Sequence, residues 1–532
     1  KLQNGVVRLP DGFQDAYQQF VEAGWNCVSA STEHEGMGLP YVVQMAVQEM
    51  MTSANMAFSL CPMLSQGAIE ALSAHGTDAQ RALYLPKLVS GEWTGTMNLT
   101  EPQAGSDVGA LRTKAEPQGD GTYRIKGQKI YITWGEHDCA DNIIHLVLAR
   151  LPDAPPGTKG ISLFLVPKFL VNEDGSLGQR NDLRCVSLER KMGIHASPTC
   201  TMAFGDNDDC VGYLIGEENR GMACMFTMMN NARIAVGLQG VAIGERAYQH
   251  ALSYARERVQ SPRFHDGKRG PARIIEHADV RRMLMTMKAN VEACRAIVYL
   301  TAGAVDRAHN HPDEATQRAS KGLADLLTPV AKGYSTDMGV DMASLAIQVF
   351  GGMGYVEETG AAQHLRDSRI APIYEGTNGI QALDLVGRKL TMDDGQHWRT
   401  LFSEMRDFTA DIRGAEGVGQ LHPYLDDAVE ALQTAPVYLH GNEEYSLDSA
   451  AGASQFLKMF GIILGGYLLA KQAQAAQEAL TAGEGNSDYL NAKLAIAQFY
   501  AEQILPQGAA LLGPVTRGGE HLYALEERQF AA

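Results

Sequence analysis

Between Trp93 and Tyr213 the chain is built from short stretches rich in aromatic and β-branched residues. They fall at 93–99, 123–133, 143–148, 161–166 and 200–204. Such residues fit a pleated, half-buried surface and read as strands. Turn clusters separate them: Gln118-Gly119-Asp120-Gly121, Pro155-Pro156-Gly157 and Asn172-Glu173-Asp174-Gly175. Parallel strands need crossovers of a dozen or more residues, usually helical. The connections here are too short for repeated helical crossovers, so an antiparallel β-domain is expected.

Helical patterns flank this block. Residues 14–22, 41–52, 61–76 and 79–89 have helical composition, with breaks at Gly36-Met37-Gly38-Leu39-Pro40 and Gly76-Thr77-Asp78. Asp78 is the expected N-cap of the last of them. Beyond Tyr213, residues 222–259, 274–309 and 315–350 each exceed the usual helix length. Apolar residues recur there at three- and four-residue steps, as in Leu284, Met287, Val291, Ile297 and Leu300. A bundle of long antiparallel helices is expected, with Met225–Met229 in its core and 261–271 as a loop. The polar stretch Thr391-Met392-Asp393-Asp394-Gly395 reads as a domain boundary. From 398 to 525 the chain is helical again, clearest at 456–482 and 490–504, with a packing or assembly role expected. The 532 residues exceed one compact core. The expected fold class is α+β, divided as 1–92 (N-terminal helical domain), 93–213 (middle β-domain), 214–392 (helical bundle) and 393–532 (additional helical domain).

Charge and cysteine usage narrow the function. The formal net charge is −17, which opposes nucleic-acid or anionic-membrane binding by bulk attraction. No uninterrupted apolar run in the sequence approaches spanning length. The chain begins Lys1-Leu2-Gln3 without a methionine or a signal-peptide pattern, so targeting is not judged from this end. The eight cysteines are scattered and form no C-x-x-C, which fits a reducing, cytoplasmic setting. His309 and His311 read as a helix-end turn, and no metal site is expected.

One loop has the makings of chemistry. In Arg369-Ile370-Ala371-Pro372-Ile373-Tyr374-Glu375-Gly376-Thr377-Asn378-Gly379-Ile380-Gln381, Pro372 disfavours helix before it and the glycines loosen the backbone. Helical spacing then resumes from Ile380 to Leu390. Glu375 is the acid in the tight part of this loop, beside Tyr374. A carboxylate held against an aromatic ring suits a general base of raised pKa; an exposed loop glutamate is the plainer reading of an isolated Tyr-Glu-Gly. Three other stretches stand out. Met97-Asn98-Leu99-Thr100-Glu101-Pro102-Gln103-Ala104-Gly105-Ser106-Asp107 runs from a strand into a loop with hydroxyls. Tyr131-Ile132-Thr133-Trp134-Gly135 ends a strand. Gln348-Val349-Phe350-Gly351-Gly352-Met353-Gly354 ends a helix in glycines that let backbone approach a ligand. There is no G-x-G-x-x-G after a strand, no P-loop and no G-x-S-x-G elbow. The glycines of Gly237-Leu238-Gln239-Gly240 lie in a helical pattern and point to close helix packing.

Taken in order, T-E-P-x-A-G-S-D, aromatic-I-T, Q-x-F-G-G-x-G and Y-E-G-T-x-x-I-Q resemble the acyl-CoA dehydrogenase family of flavoproteins. The resemblance runs from about Gln14 to Leu390, and the C-terminal addition resembles an extended bacterial branch. It implies FAD as cofactor and α,β-dehydrogenation of an acyl-CoA thioester, here of a short, sulfur-containing chain. Glu375 matches the base that removes the α-proton. Where some relatives carry a base on a bundle helix, this chain has Ala232. Thr100 and Thr133 match flavin-ring contacts, Tyr131 the aromatic beside the ring, and Leu99 a backbone contact. Ser106 matches residues at the flavin pyrophosphate and the CoA side. Gln348, Gly351 and Gly352 match the segment reaching a neighbouring subunit's FAD, and Thr377 and Asn378 match adenosine contacts. Arg233 matches an arginine on the CoA-binding helix, with Asn230 where the family usually has Asp. Tyr374 is expected to line the acyl pocket. The usual R-x-x-F-G is replaced by Arg258-Val259-Gln260-Ser261, so Arg258 is the pyrophosphate candidate, with Arg256 and Arg263 as alternatives. The resemblance also implies electron-transfer flavoprotein as acceptor and a homodimer or homotetramer. A general short- or medium-chain acyl-CoA dehydrogenase, an acyl-CoA oxidase and, behind these, a nucleic-acid-associated flavoprotein are the competing readings.

Overall fold

The computed structural model describes residues 1–263, 270–440 and 446–532. They divide into two units, Lys1–Ala235 and Val236–Ala532.

The first unit opens with a small hairpin, β1 (Leu2–Gln3) and β2 (Val6–Val7), followed by helices α1 (Phe13–Glu22), α2 (Tyr41–Ala54), α3 (Met56–His75) and α4 (Asp78–Val89). The N-cap of α4 is Thr77, not Asp78. Thr77 accepts from the Gln80 N–H at 3.2 Å, and Gln80 returns the bond to the Thr77 N–H at 3.0 Å. This reciprocal box satisfies two orphan donors, and Asp78 falls in the first turn, where its charge suits the helix dipole.

The strands follow: β3 (Trp93–Asn98), β4 (Lys114–Pro117), β5 (Tyr123–Thr133), β6 (Asn142–Arg150), β7 (Ile161–Pro167), β8 (Phe169–Val171), β9 (Leu177–Arg180), β10 (Leu183–Leu188), β11 (Thr199–Phe204) and β12 (Val211–Ile215). The main sheet runs β10-β11-β5-β12-β7-β6-β3, with β4 joined to β5 and β6. It is mixed rather than purely antiparallel. β3 and β6 are parallel, from Trp93 opposite Asn142 to Asn98 opposite Val147. The chain between them is long enough for a crossover, and β4 and β5 fill it in place of a helix. Ile125, Ile132, Val147, Phe164, Val166, Met202 and Phe204 form the buried core against this sheet. Helix α5 (Gly221–Glu257) gives its first part to this unit and the rest to the second.

The second unit holds a short strand pair, β13 (Val259–Pro262) with β14 (Pro271–Arg273), and the long helices α6 (Ala278–Asn310) and α7 (Glu314–Phe350). The expected 261–271 loop is thus paired at both ends, and its residues 264–269 lie outside the described ones. His309 and His311 sit at the end of α6 as expected. Glycines let α5 and α7 touch: a Cβ at Gly240 would run into the Ser335 carbonyl, and one at Gly237 into that of Ala331. Next come α8 (Ala361–Ser368) and α9 (Asn378–Asp384), the latter passing into a π-helical turn at Leu385–Lys389. At Met392–Gly395 the chain turns through Asp393 and Asp394 at φ 48° and 50°. The extension is α10 (Gln396–Asp411), α11 (His422–His440), α12 (Leu447–Ala482), α13 (Ser487–Gln503), α14 (Leu505–Ala510) and α15 (Leu512–Thr516), in the same unit as the bundle. By length and composition α12 could cross a membrane, but 78% of its apolar window is buried inside the protein. It is the core helix of the extension.

Candidate active site

In the first unit, the loop after β3 is anchored from beneath. Glu101 is 4% exposed and Lys129, on β5, is fully buried; they pair at 2.8 Å. Glu101 also accepts from the Arg112 N–H (2.7 Å), the Thr113 N–H (3.0 Å) and the Thr113 hydroxyl (2.6 Å). Burial pushes the Glu101 carboxyl up, but the Lys129 charge and these donors outweigh it and hold the group at about 2. Burial pulls Lys129 down to about 8 against the pull of Glu101. The Lys129 ammonium also donates to the Leu99 carbonyl at 3.0 Å, and the Ile130 N–H donates to the Thr100 carbonyl at 2.9 Å. Leu99 and Thr100 are therefore fixed to β5 by charge and by backbone. Below them, β3 buries Thr94, Thr96 and Asn98. Thr94 bonds His137 at 2.9 Å and Thr96 bonds His145 at 2.8 Å. Burial lowers both imidazoles to about 3, so each is neutral.

Tyr131 is forced outward. Cys200 pairs with Ile132 and Met202 with Lys129, so Ile130 and Tyr131 both oppose Thr201 in a β-bulge. Tyr131 takes φ 59° and stands 61% exposed next to half-buried Thr133. Ser106 is exposed on the anchored loop. An exposed ring beside a fixed loop bearing hydroxyls can seat a flat, hydrogen-bonding ring system.

On the first part of α5, Arg233 is 6% exposed with its guanidinium 6.0 Å from the Phe226 ring centre, while Asn230 is half-buried. Nearby, α2, α3 and α5 enclose a cavity of about 20 Å³ lined by Gln44, Gln48, Gln66, Glu70, Asn231 and Ala232. One water would fill it. Burial raises the Glu70 carboxyl to about 7, against hydrogen bonds from Asn231 and Gln66.

In the second unit, Glu375 and Gly376 take φ 54° and 81° in succession. A left-handed glutamate is costly and persists only where its surroundings over-determine it. The Asn378 N–H donates to the Pro372 carbonyl at 3.0 Å, and the Thr377 hydroxyl to the same carbonyl at 3.3 Å. Buried Gln381 donates to the Gly376 carbonyl at 3.3 Å. The Tyr374 hydroxyl donates to Gln239, and its pKa is raised by burial and then by the neighbouring Glu375 charge. Glu375 itself is half-buried. The Asn378 amide is turned inward onto α7, where it meets Lys332, Gly333 and Asp337. Beside the turn lies an open groove of about 320 Å³ lined by Asp337, Asp341, Arg369, Pro372, Leu457 and Lys458.

Gln348, Gly351 and Gly352 are exposed, and Cβ atoms built on the two glycines would meet nothing within 4 Å. Arg258 is exposed at the end of α5, its guanidinium 3.2 Å from the Gln260 side chain. Arg263 is paired with Glu276, which leaves Arg258 and Arg256 as the exposed pyrophosphate candidates.

Family models cover nearly the whole chain. They match the acyl-CoA dehydrogenase N-terminal domain over residues 8–92, the middle domain over 96–207 and the C-terminal domain over 219–390. A fourth, described as acetyl-CoA dehydrogenase C-terminal like, matches 401–526. The chain belongs to the acyl-CoA dehydrogenase family. It is 49% identical to a 3-methylmercaptopropionyl-CoA dehydrogenase of Ruegeria pomeroyi, over 98% of this chain and 88% of that one. It is 39% identical to a butyryl-CoA dehydrogenase of Syntrophomonas wolfei, over 94% and 83%. A Bacillus anthracis acyl-CoA dehydrogenase, solved with FAD, shares the fold at TM-score 0.76 and 20% identity, over 97% and 84%. This acyl-CoA dehydrogenase is an FAD enzyme, and the exposed Tyr131 ring beside pinned Leu99 and Thr100 fits that group.

Motif reading passed over Lys129, Gln239, Lys332 and Glu70. Lys129 shares the inward parity of Ile125 on β5, and a lysine at an inward position was the available signal. The other three sit in helices whose patterns gave no such sign.

Proposed function

We propose that this acyl-CoA dehydrogenase converts 3-(methylthio)propanoyl-CoA to 3-(methylthio)acryloyl-CoA, with Glu375 as the base that takes the α-proton. The observation that carries the base assignment is the left-handed Glu375-Gly376 turn, braced by Thr377, Asn378 and Gln381. Strain held in place by so many bonds presents one carboxylate in one direction. Tyr374, tied to Gln239, is the buried neighbour of that carboxylate, and the Glu375 charge in turn raises the Tyr374 hydroxyl. FAD, when bound, supplies the acceptor for the β-hydrogen. Leu99, Thr100, Ser106, Tyr131 and Thr133 would hold its ring and pyrophosphate, with Arg258, Thr377 and the Gln348–Gly352 segment as further contacts. Asn230 and Arg233 would meet the CoA portion. The 49% identity to the Ruegeria enzyme supports the sulfur-containing substrate.

The same reading divides the chain at 1–92, 93–213, 214–392 and 393–532. It places a homodimer or homotetramer in the cytoplasm, passing electrons to electron-transfer flavoprotein. The test is a panel of acyl-CoAs from butyryl to octanoyl, with 3-(methylthio)propanoyl included, followed by anaerobic flavin bleaching. The methylthio substrate should give the highest kcat/KM; preference for a long unbranched chain would sink the substrate assignment. Glu375→Gln should keep its FAD and lose about 10²- to 10⁴-fold in bleaching rate, the usual contribution of a positioned base.

A further inference from the structure

Among the bonds that brace the Glu375 turn, those of the Asn378 side chain run to both Lys332 and Asp337. Lys332 lies on α7 with no solvent exposure, and its ammonium donates to Asn378 Oδ1 at 2.8 Å. On its other side, Asn378 Nδ2 donates to Asp337 Oδ1 at 2.8 Å and to the Gly333 carbonyl at 3.0 Å. The Thr336 hydroxyl lies 3.0 Å from the same nitrogen and is itself fixed by donation to the Lys332 carbonyl at 2.8 Å. A cation at the amide oxygen and an anion at the amide nitrogen leave the side chain one orientation. Asn378 stands three residues beyond Glu375, and its N–H closes the turn onto Pro372.

A buried ammonium is expensive. An apolar residue of similar length would spare that desolvation cost but would leave Asn378 Oδ1 without this donor. The charge is worth keeping where the direction of its hydrogen bond matters more than its stability. That direction fixes Asn378, and Asn378 fixes a turn whose glutamate occupies a disfavoured backbone region.

We infer that Lys332 is a positioning residue for Glu375, acting through the Asn378 side chain. This rests on Glu375 being the base. Lys332 touches no reacting atom; it determines where the carboxylate sits when the α-proton is taken. A displacement of about 1 Å at a reacting group costs about 100-fold in rate.

The experiment uses the purified FAD-loaded enzyme. Lys332→Met, Lys332→Arg and Glu375→Gln are compared with wild type in anaerobic stopped-flow flavin reduction, with ordinary and α-dideuterated substrate. Lys332→Met should keep its flavin spectrum and its KM, lose about 10- to 100-fold in reduction rate, and show a larger α-deuterium isotope effect because proton removal has become slower. Lys332→Arg should recover part of the rate. A purely structural role would lower the melting temperature and leave the rate and isotope effect of the folded enzyme unchanged; that result would overturn the proposal. If Lys332→Met does not fold, Asn378→Ser decides by the same readouts. An inactive Glu375→Gln beside an unaffected Lys332→Met sinks the positioning role alone. An active Glu375→Gln sinks the base assignment instead.

Discussion

The carboxylates of this enzyme are tuned in opposite directions, and each direction has a different consequence. Glu101 is held at about 2 by Lys129 and by backbone and hydroxyl donors. Its folded pKa lies below the ordinary 4.5, so the stability it contributes is present above pH 4.5 and is lost as pH falls through 2. Removing its cation is harsher than acid. Lys129→Met leaves a buried carboxylate unpaired and should cost about 3–5 kcal/mol in denaturant unfolding, with the Leu99–Thr100 loop released and FAD affinity reduced. Unchanged stability would show that the pair is not the anchor. Glu70 runs the other way, raised by burial to about 7. The folded protein then holds more protons than the unfolded chain between pH 4.5 and 7. The associated stability is complete below 4.5 and declines as pH rises through 7. Glu70→Gln should flatten the fall in melting temperature between pH 5 and 8. Parallel curves for wild type and variant would remove Glu70 as the cause.

Helix α7 is the element that joins the turn of the proposed base to the extension. Lys332, Thr336 and Asp337 face the Glu375 turn through Asn378, while Gly333 and Tyr334 face α12. A Cβ at Gly333 would lie 2.8 Å from Leu457, and one at Gly461 would run into the Tyr334 ring. That ring cannot retreat freely, because its hydroxyl sits 3.3 Å from that of Tyr500, which donates to the Ile462 carbonyl at 2.9 Å. Gly461→Ala should therefore cost about 1–3 kcal/mol by overpacking, read from the melting temperature. A neutral result would mean that α12 slides away without resistance. The long helices were legible in the sequence because their apolar residues repeat over many turns. The parallel pairing of β3 with β6 was not, since strand partners are chosen by tertiary register rather than by local pattern. Tyr131 was marked as an aromatic, but its left-handed backbone depends on the register of β11 and has no local signature. Glu375 stood out through its Tyr-Glu-Gly-Thr setting. Lys332, one polar residue in a helix buried on nearly every side, gave no comparable signal.

At the scale of the whole molecule, the formal charge of −17 sets the long-range field in which a substrate arrives. An acyl-CoA carries several negative phosphate charges, so its approach is opposed at distance even where Arg233, the proposed CoA contact, would attract it at close range. Salt affects these two terms unequally. The screening length falls from about 30 Å at 0.01 M to about 8 Å at 0.15 M, which removes the distant repulsion first and spares a partly buried arginine. kcat/KM for the CoA substrate should therefore rise by a few fold between those salt concentrations. The matching acyl-pantetheine thioester, with the nucleotide phosphates removed, should show a flat profile over the same range. A fall with salt for the CoA substrate would mean that local arginines, not the overall field, govern capture. A rise for both substrates would place the effect on the chemical step and not on encounter.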